Sequence, residues 1–403
     1  MIFISDNINL ISSEDGVLTI KLSGRLNSTA VADGSDELDD ILSREEHQKV
    51  VLDCDDLDYI SSMGLRKLLT LSKRENLQIV NVQPTVWEVF EMTGFTQIMN
   101  IRKAFREISI EGCEPIGTGA NGTVYRLDAE TIVKMYRENI PLEYIERERG
   151  YAQSAFLCGV PTAISYDVVR CGKRYGLVFE LIDAVTFDRM LIDQPGQYEE
   201  NIAKYVGLFK CMHASKDLAG KLPSFKDRYH EWIEDMRKDY IDEERRLMHQ
   251  LVDAVPDADN LVNGDFHPRN VMFQNGNPII IDMADIGIGS SLFDFACLGL
   301  THYYYPTTSP STVEFFVGLT AEKMIAIWYD VLERYFVKAD KEQLKVIERT
   351  VLMMSKLRFA LNPAIVLGLP RHFYESQVLA GKKFCAEEIK EAIELVAKWN
   401  TYE

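Results

Sequence analysis

Residues 16–26 (Gly-Val-Leu-Thr-Ile-Lys-Leu-Ser-Gly-Arg-Leu) alternate apolar and polar side chains with period two, which predicts a half-buried strand. Residues 49–54 (Lys-Val-Val-Leu-Asp-Cys) predict a second strand, buried on both faces. Between them, Ala30 to Ser43 carries apolar residues at roughly helical spacing among acids. A further helix is predicted at 63–74 and a short strand at 77–82. Strands alternating with helices point to an α/β unit ending near the basic stretch Arg102 to Arg106. From 116 to about 182 the pattern is mostly strand and turn, with one helical insertion at 141–158. From about 197 onward it is helical, apart from short apolar strands at 271–273 and 278–282. Amphipathic spacing marks helices over roughly 228–254, 320–337, 342–361 and 386–399. A small β-rich lobe followed by a large helical lobe fits this order.

Composition narrows the class. The 403 residues suggest two to three domains at roughly 150 residues each. With 46% hydrophobic and 26% charged residues the chain is globular, neither disordered nor fibrous. Sixty-two acids against forty-four bases give a net charge of −18, which repels phosphate backbones and anionic lipid. Nucleic acid and membrane are therefore excluded as general partners. Seven scattered cysteines without a C-x-x-C pair fit neither a disulfide framework nor a zinc site, and imply a reducing compartment. Met1 to Asp6 shows no basic segment ahead of an apolar run, and no apolar stretch nears the ~18 residues of a membrane helix. A cytoplasmic protein is expected.

Candidate chemistry begins at Gly117-Thr-Gly119-Ala-Asn121-Gly122-Thr-Val124-Tyr125, a G-x-G-x-x-G-x-V pattern. Alone it fits a dinucleotide fold, a kinase glycine loop or an ordinary glycine-rich hairpin. Here the glycines run on into a strand and turn, not a helix, so their amides are suited to cradling nucleotide phosphates. Next comes Thr131-Ile-Val-Lys134-Met, a strand with one lysine, placed where a kinase lysine meets the α- and β-phosphates. Glu146 and Glu148 on the following helix are the candidates to hold it, and Glu148 is preferred. Asn263-Gly264-Asp265-Phe-His-Pro-Arg-Asn270 then supplies a D-x-x-x-x-N separation. Asp265 can take a proton from an acceptor hydroxyl, and the Asn270 amide oxygen can ligate Mg²⁺. Pro278-Ile-Ile-Ile-Asp282 ends an apolar strand on a carboxylate, a second ligand suited to a hard cation.

With these residues in this order, 107–403 resembles the aminoglycoside phosphotransferase and choline kinase-like superfamily, whose fold is that of the two-lobed protein kinases. Gly264, Asp265, Asn270, Asp282 and Asp294 match its signature, while Asn263 stands where the family usually has His and Met283 where it has an aromatic residue. The resemblance implies an α+β kinase-like unit with an N-lobe at about 107–182 and a helical C-lobe at about 183–403. It also implies ATP and Mg²⁺ as cofactors and transfer of the γ-phosphoryl group to a hydroxyl. Phe179-Glu180-Leu181-Ile182 would join the lobes, with Glu180 and Ile182 offering their backbone to adenine.

Asp55-Asp-Leu-Asp58-Tyr-Ile-Ser61-Ser62-Met-Gly64-Leu-Arg66 follows the second strand and opens a helix, so either serine suits an N-cap. The segment, with Glu91-Met-Thr-Gly94-Phe95, resembles the sulfate transporter and anti-sigma-factor antagonist (STAS) domain over about residues 1–106. By that resemblance Ser62 is a candidate phosphosite. The usual Asp before it is replaced here by Ser61.

The expected function is a small-molecule kinase regulated by a fused STAS domain, acting on an aminoglycoside, a choline-like amine or a sugar. An alternative is a signalling kinase that phosphorylates Ser62 in cis or a partner STAS domain. A third is a pseudokinase scaffold. Tyr303, Tyr304, Tyr305, Trp232 and Trp328 could form a cation–π cage or simply pack in the core.

Overall fold

The computed structural model describes residues 8–14, 16–28, 38–119, 121–218, 220–366 and 369–402. The chain divides into two compact units, Met1–Ile108 and Ser109–Glu403.

In the first unit the strands Ile8–Glu14, Val17–Leu26, Lys49–Ile60, Leu77–Val82 and Asn100–Lys103 lie in sequence order in one sheet. The first pair is antiparallel and the other three pairings are parallel. Val50, Leu52 and Cys54 are buried while Lys49, Val51 and Asp53 are half-buried, so this strand has one core face where two were expected. It also runs on to Ile60, because Leu57 and Ile60 continue the apolar face while Asp55, Asp56 and Asp58 stay in solvent. The two register shifts against Val17–Leu26 absorb the extra acids. Ser61 caps the helix Ser62–Ser72, its hydroxyl accepting from the Gly64 amide at 3.3 Å and donating to the Leu26 carbonyl at 3.1 Å. Of the helix expected over Ala30 to Ser43, positions 29–37 lie outside the described residues, and 38–44 are helical.

The second unit begins with a predominantly antiparallel sheet in which Ser165–Cys171, Arg174–Glu180, Thr131–Tyr136, Gly122–Arg126 and Pro115–Thr118 are successive neighbours. The helix Leu142–Leu157 packs on Ser165–Cys171 and Arg174–Glu180. Beyond it lies a helical body with one large core in which Tyr205, Phe209, Phe266, Phe295, Trp328 and Trp399 are buried. The helix expected over 228–254 is two helices, Phe225–Asp235 and Asp242–Ala254. Three acids in a row open the second, where the helix dipole favours them, and Glu244 folds back to accept the Ile241 amide at 2.9 Å. Lys341–Ile365 extends past the expected end and contains Pro363. Arg371–Glu387 has no expected counterpart, because its buried positions include Gln377 and Gly381.

Candidate active site

The glycine loop joins the hairpin strands Pro115–Thr118 and Gly122–Arg126, closed by Gly119 N–H donating to the Gly122 carbonyl at 2.9 Å. Gly117 and Gly119 face open space, which leaves room for a ligand against their backbone. Gly122 is buried, and a Cβ there would lie 2.1 Å from the Met135 carbonyl oxygen. Only glycine lets these two strands approach so closely. Asn121 donates its amide to the Tyr144 hydroxyl at 3.0 Å. Val124 lies opposite Lys134 across the next strand pair.

Lys134 Nζ sits 2.7 Å from Glu148 Oε1 and 3.6 Å from Asp282 Oδ2. Glu148 is 2% exposed whereas Glu146 is in solvent, so helix phase brings only Glu148 to the lysine. Burial opposes the charge on Lys134, but Asp282 and Glu148 outweigh it and raise its pKa. The lysine stays protonated.

The Asn260–Val262 strand delivers the loop that carries Asp265. Asp294, wholly buried, accepts the amides of Asn263 at 2.9 Å and Gly264 at 2.6 Å, and meets His213 Nε2 at 2.9 Å. His213 Nδ1 in turn meets the Tyr335 hydroxyl at 2.8 Å. Arg358 donates to the Gly264 carbonyl at 2.7 Å. Gly264 has φ +82°, and a Cβ would strike Phe225 at 2.6 Å. Asn263 Oδ1 accepts the Asp265 amide at 3.0 Å, so the residue that departs from the family pattern fastens the loop.

Asn270 Nδ2 donates to the Asp265 carbonyl at 3.0 Å and to its Oδ2 at 3.1 Å. Those bonds orient the Asn270 amide and leave its oxygen free of them. His267 Nε2 stands 3.5 Å from Asp265 Oδ2. Burial pushes the Asp265 carboxyl up, but His267, Arg358 and the Asn270 amide outweigh it and hold it below the usual range. Burial lowers His267, yet Asp265 outweighs that and raises it.

The strand expected to end on Asp282 stops at Ile280. Asp282 follows it with φ +64°, a left-handed conformation that is strained for a side-chain-bearing residue. Its Oδ1 accepts the Ala284 amide at 3.3 Å, and its side chain is 44% exposed. The strain turns a carboxylate out of the sheet and towards Lys134.

In the expected linker, the Glu180 amide donates to the Ile164 carbonyl at 2.9 Å and the Leu181 amide to Glu130 at 2.7 Å. Both donors are therefore committed within the protein, while the Ile182 amide has no such bond among the described residues. The aromatic residues do not form one cage. Trp328 is fully buried with its Nε1–H directed to Glu348 at 3.3 Å, and Trp232 already faces the Arg358 guanidinium at 5.5 Å. Tyr303 packs beside Trp328, and Tyr304 and Tyr305 pack on Phe359. On the first unit, Ser62 is exposed in the first turn of its helix, while Ser61 takes the capping role.

Two residues of this site escaped sequence reasoning. His213 closes the helix Tyr198–Ala214 with no local signal. Arg358 does leave a trace, as one base inside the apolar run Leu357-Arg358-Phe359-Ala360-Leu361.

A glycine loop, a strand lysine paired to a helix glutamate and a D-x-x-x-x-N loop beside a further carboxylate together define a phosphotransferase behind a separate α/β domain. The chain belongs to the phosphotransferase enzyme family, whose profile matches residues 112–320, and carries an N-terminal STAS domain, matched over residues 11–108. The BtrV protein of Bordetella bronchiseptica, named as an anti-sigma factor antagonist, is 38% identical over 92 residues, 22% of this chain and 78% of that protein. Among solved structures, a choline/ethanolamine kinase family protein from Mesorhizobium loti is similar at 13% identity with a TM-score of 0.46. That match spans 71% of this chain and 92% of that one. A gentamicin complex of the aminoglycoside phosphotransferase APH(2")-IIa is similar at 15% identity, over 76% of this chain and 97% of that one, with a TM-score of 0.46. The family assignment rests on the sequence matches.

Proposed function

We propose that the Ser109–Glu403 unit binds ATP with Mg²⁺ and transfers the γ-phosphoryl group to a hydroxyl of a small molecule. The observation that carries this reading is Lys134, held at 2.7 Å by Glu148 and facing Asp282 at 3.6 Å. A half-buried lysine tied to one carboxylate and aimed at another forms a charge cluster suited to phosphates bridged by a cation.

The residues fit that cation. Asp282 and the Asn270 amide offer hard oxygen donors, and among the described residues no three His, Cys, Asp or Glu side chains form a metal cage. Two protein ligands are what Mg²⁺ uses when phosphates and water complete its shell. When bound, the metal–nucleotide pair supplies the phosphoryl group and neutralises charge on it. Lys134 would engage the α- and β-phosphates, and the phosphate chain would lie in the open space against the Gly117 and Gly119 backbone, with Asn121, Gly122 and Val124 shaping the loop. The Ile182 amide and the Glu180 carbonyl would meet the adenine. Asp265 would accept the proton of the acceptor hydroxyl, oriented by Asn270 and kept ionised by His267. Most of the rate advantage would come from this positioning and preset charge.

The test is nucleotide binding and ATP consumption by the full chain. Mg²⁺-dependent binding is expected, with consumption lost in Asp265→Ala and Asp282→Ala and retained in Ser62→Ala. Absence of Mg²⁺-dependent nucleotide binding would overturn the reading.

We further propose that the STAS domain regulates this activity, with a STAS-domain protein as its partner. Exposure of Ser62 in the first turn of its helix favours a second reading, phosphorylation of Ser62 in cis or on such a partner. Phosphopeptide mass spectrometry after incubation with ATP alone separates the two. Label at Ser62 that disappears in Asp265→Ala would favour the signalling reaction. A scaffold without catalysis fits poorly with an intact Lys134, Asp265, Asn270 and Asp282 set.

A further inference from the structure

Two arginines beside the Asp265 loop are tied to backbone carbonyls and not to a carboxylate. Arg358 is 6% exposed, and its Nη2 donates to the Gly264 carbonyl while its Nη1 has no hydrogen-bond partner. Tyr229 lies beside it but is a neutral phenol. Arg228 is half-buried, with Nη1 donating to the Asp285 carbonyl and Nη2 to the Ile286 carbonyl at 3.3 Å. Among the described residues neither arginine makes an ion pair. A buried cation without a directly paired carboxylate is costly, and an unsatisfied buried donor calls for an explanation.

Their position ties them to the acceptor side of the reaction. The Asp285 carbonyl that Arg228 grips lies 3.0 Å from where a Cβ on Gly264 would stand, and Gly264 immediately precedes Asp265. A guanidinium has five donors, and Arg228 spends two on these carbonyls, leaving three for a ligand. The charges acting here are Arg228, Arg358 and, on the Leu142–Leu157 helix, the exposed Arg147, against Asp265 and Asp285. Asp282 faces the same group but is engaged by Lys134.

We propose that the acceptor substrate carries an anionic group, carboxylate or phosphate, besides its hydroxyl, and that Arg228 takes up that group with Arg358 behind it. The inference rests on the kinase reading above and narrows its substrate class. Arginine suits the task because its planar fork meets carboxylate and phosphate oxygens in pairs. A quaternary ammonium finds the opposite here, since the Trp232 face is already turned to Arg358.

Calorimetry of the full chain saturated with Mg²⁺-ADP tests this, with glycerate, glycerol 3-phosphate, glycerol and choline as probes. Glycerate or glycerol 3-phosphate is expected to bind at least 10-fold more tightly than glycerol or choline, and the stronger of the two identifies the anion. Arg228→Gln should weaken that binding at least 10-fold while Mg²⁺-ADP still binds, and Arg228→Lys should recover part of the loss. Equal or tighter binding of choline, binding of none of the four, or anion binding unaltered in Arg228→Gln would overturn the inference. Failure of the wild-type chain to bind Mg²⁺-ADP would instead overturn the kinase reading beneath it.

Discussion

The Asp294 carboxylate accepts the Gly264 amide at 2.6 Å from within a fully buried site, so a helix residue thirty positions downstream sets the backbone that presents Asp265. The same carboxylate holds the Asn263 amide and His213. Asp294→Ala leaves two buried amides unpaired and should cost about 3 kcal/mol of stability. Chemical denaturation would show a lower midpoint. ATP consumption by the fraction that stays folded should also fall, since Asp265 loses its support.

Glu148 and Glu146 lie on one helix, yet only Glu148 reaches Lys134. Glu148→Gln should therefore lower ATP turnover by about 10²-fold, the scale for losing a positioned electrostatic contact. Glu146→Gln should leave it unaltered. Equal effects in steady-state assays would contradict the geometry.

The glycines of the loop separate by role. A Cβ on Gly122 would lie 2.1 Å from a backbone carbonyl that has no room to retreat, so Gly122→Ala should cost about 1–3 kcal/mol. Gly119 faces open space, and Gly119→Ala should keep the melting temperature while weakening nucleotide affinity. Thermal melts paired with nucleotide titrations would check both.

Asp265 and His267 titrate in opposite directions. The depressed carboxyl contributes stability above its ordinary value of about 3.8, lost as pH falls through its lower folded value. The raised imidazole contributes stability below about 6.5, lost as pH rises through its higher folded value. The pair thus stabilises between those limits. The melting-temperature difference between wild type and His267→Gln should be widest near pH 5 and shrink towards pH 8. The acid limb of activity should also move upward in His267→Gln, because the carboxyl loses the imidazolium that holds it down.

In the first unit Ser61 caps and Ser62 does not. Ser61→Ala should destabilise that unit by about 1 kcal/mol, and Ser62→Ala by much less. Urea unfolding followed in that unit would separate them.

Much of this protein was legible in its sequence because the signals are local. Period-two and helical patterns marked most elements, and the spacing from Asp265 to Asn270 is set by five residues of chain along one loop. Glycine at 117, 119 and 122 is likewise a local signal, since loop backbone conformation selects it. The expected helix over 228–254 failed because a capping turn interrupts a pattern that stays amphipathic on both sides. Arg371–Glu387 was missed because a polar Gln377 and a small Gly381 occupy its buried face.

By itself the sequence determined the two-part organisation and the family, and it singled out the candidate residues for phosphate handling. Only the tertiary structure decided that Glu148 and not Glu146 holds Lys134 and that Asp282 leaves its strand in a strained conformation. It also decided that His213, Asp294 and Arg358 brace the Asp265 loop, and that Trp328 belongs to the core. These outcomes depend on which distant helices meet. Contacts across 81 and 94 residues, His213 to Asp294 and Arg358 to Gly264, follow from packing and have no imprint in local spacing.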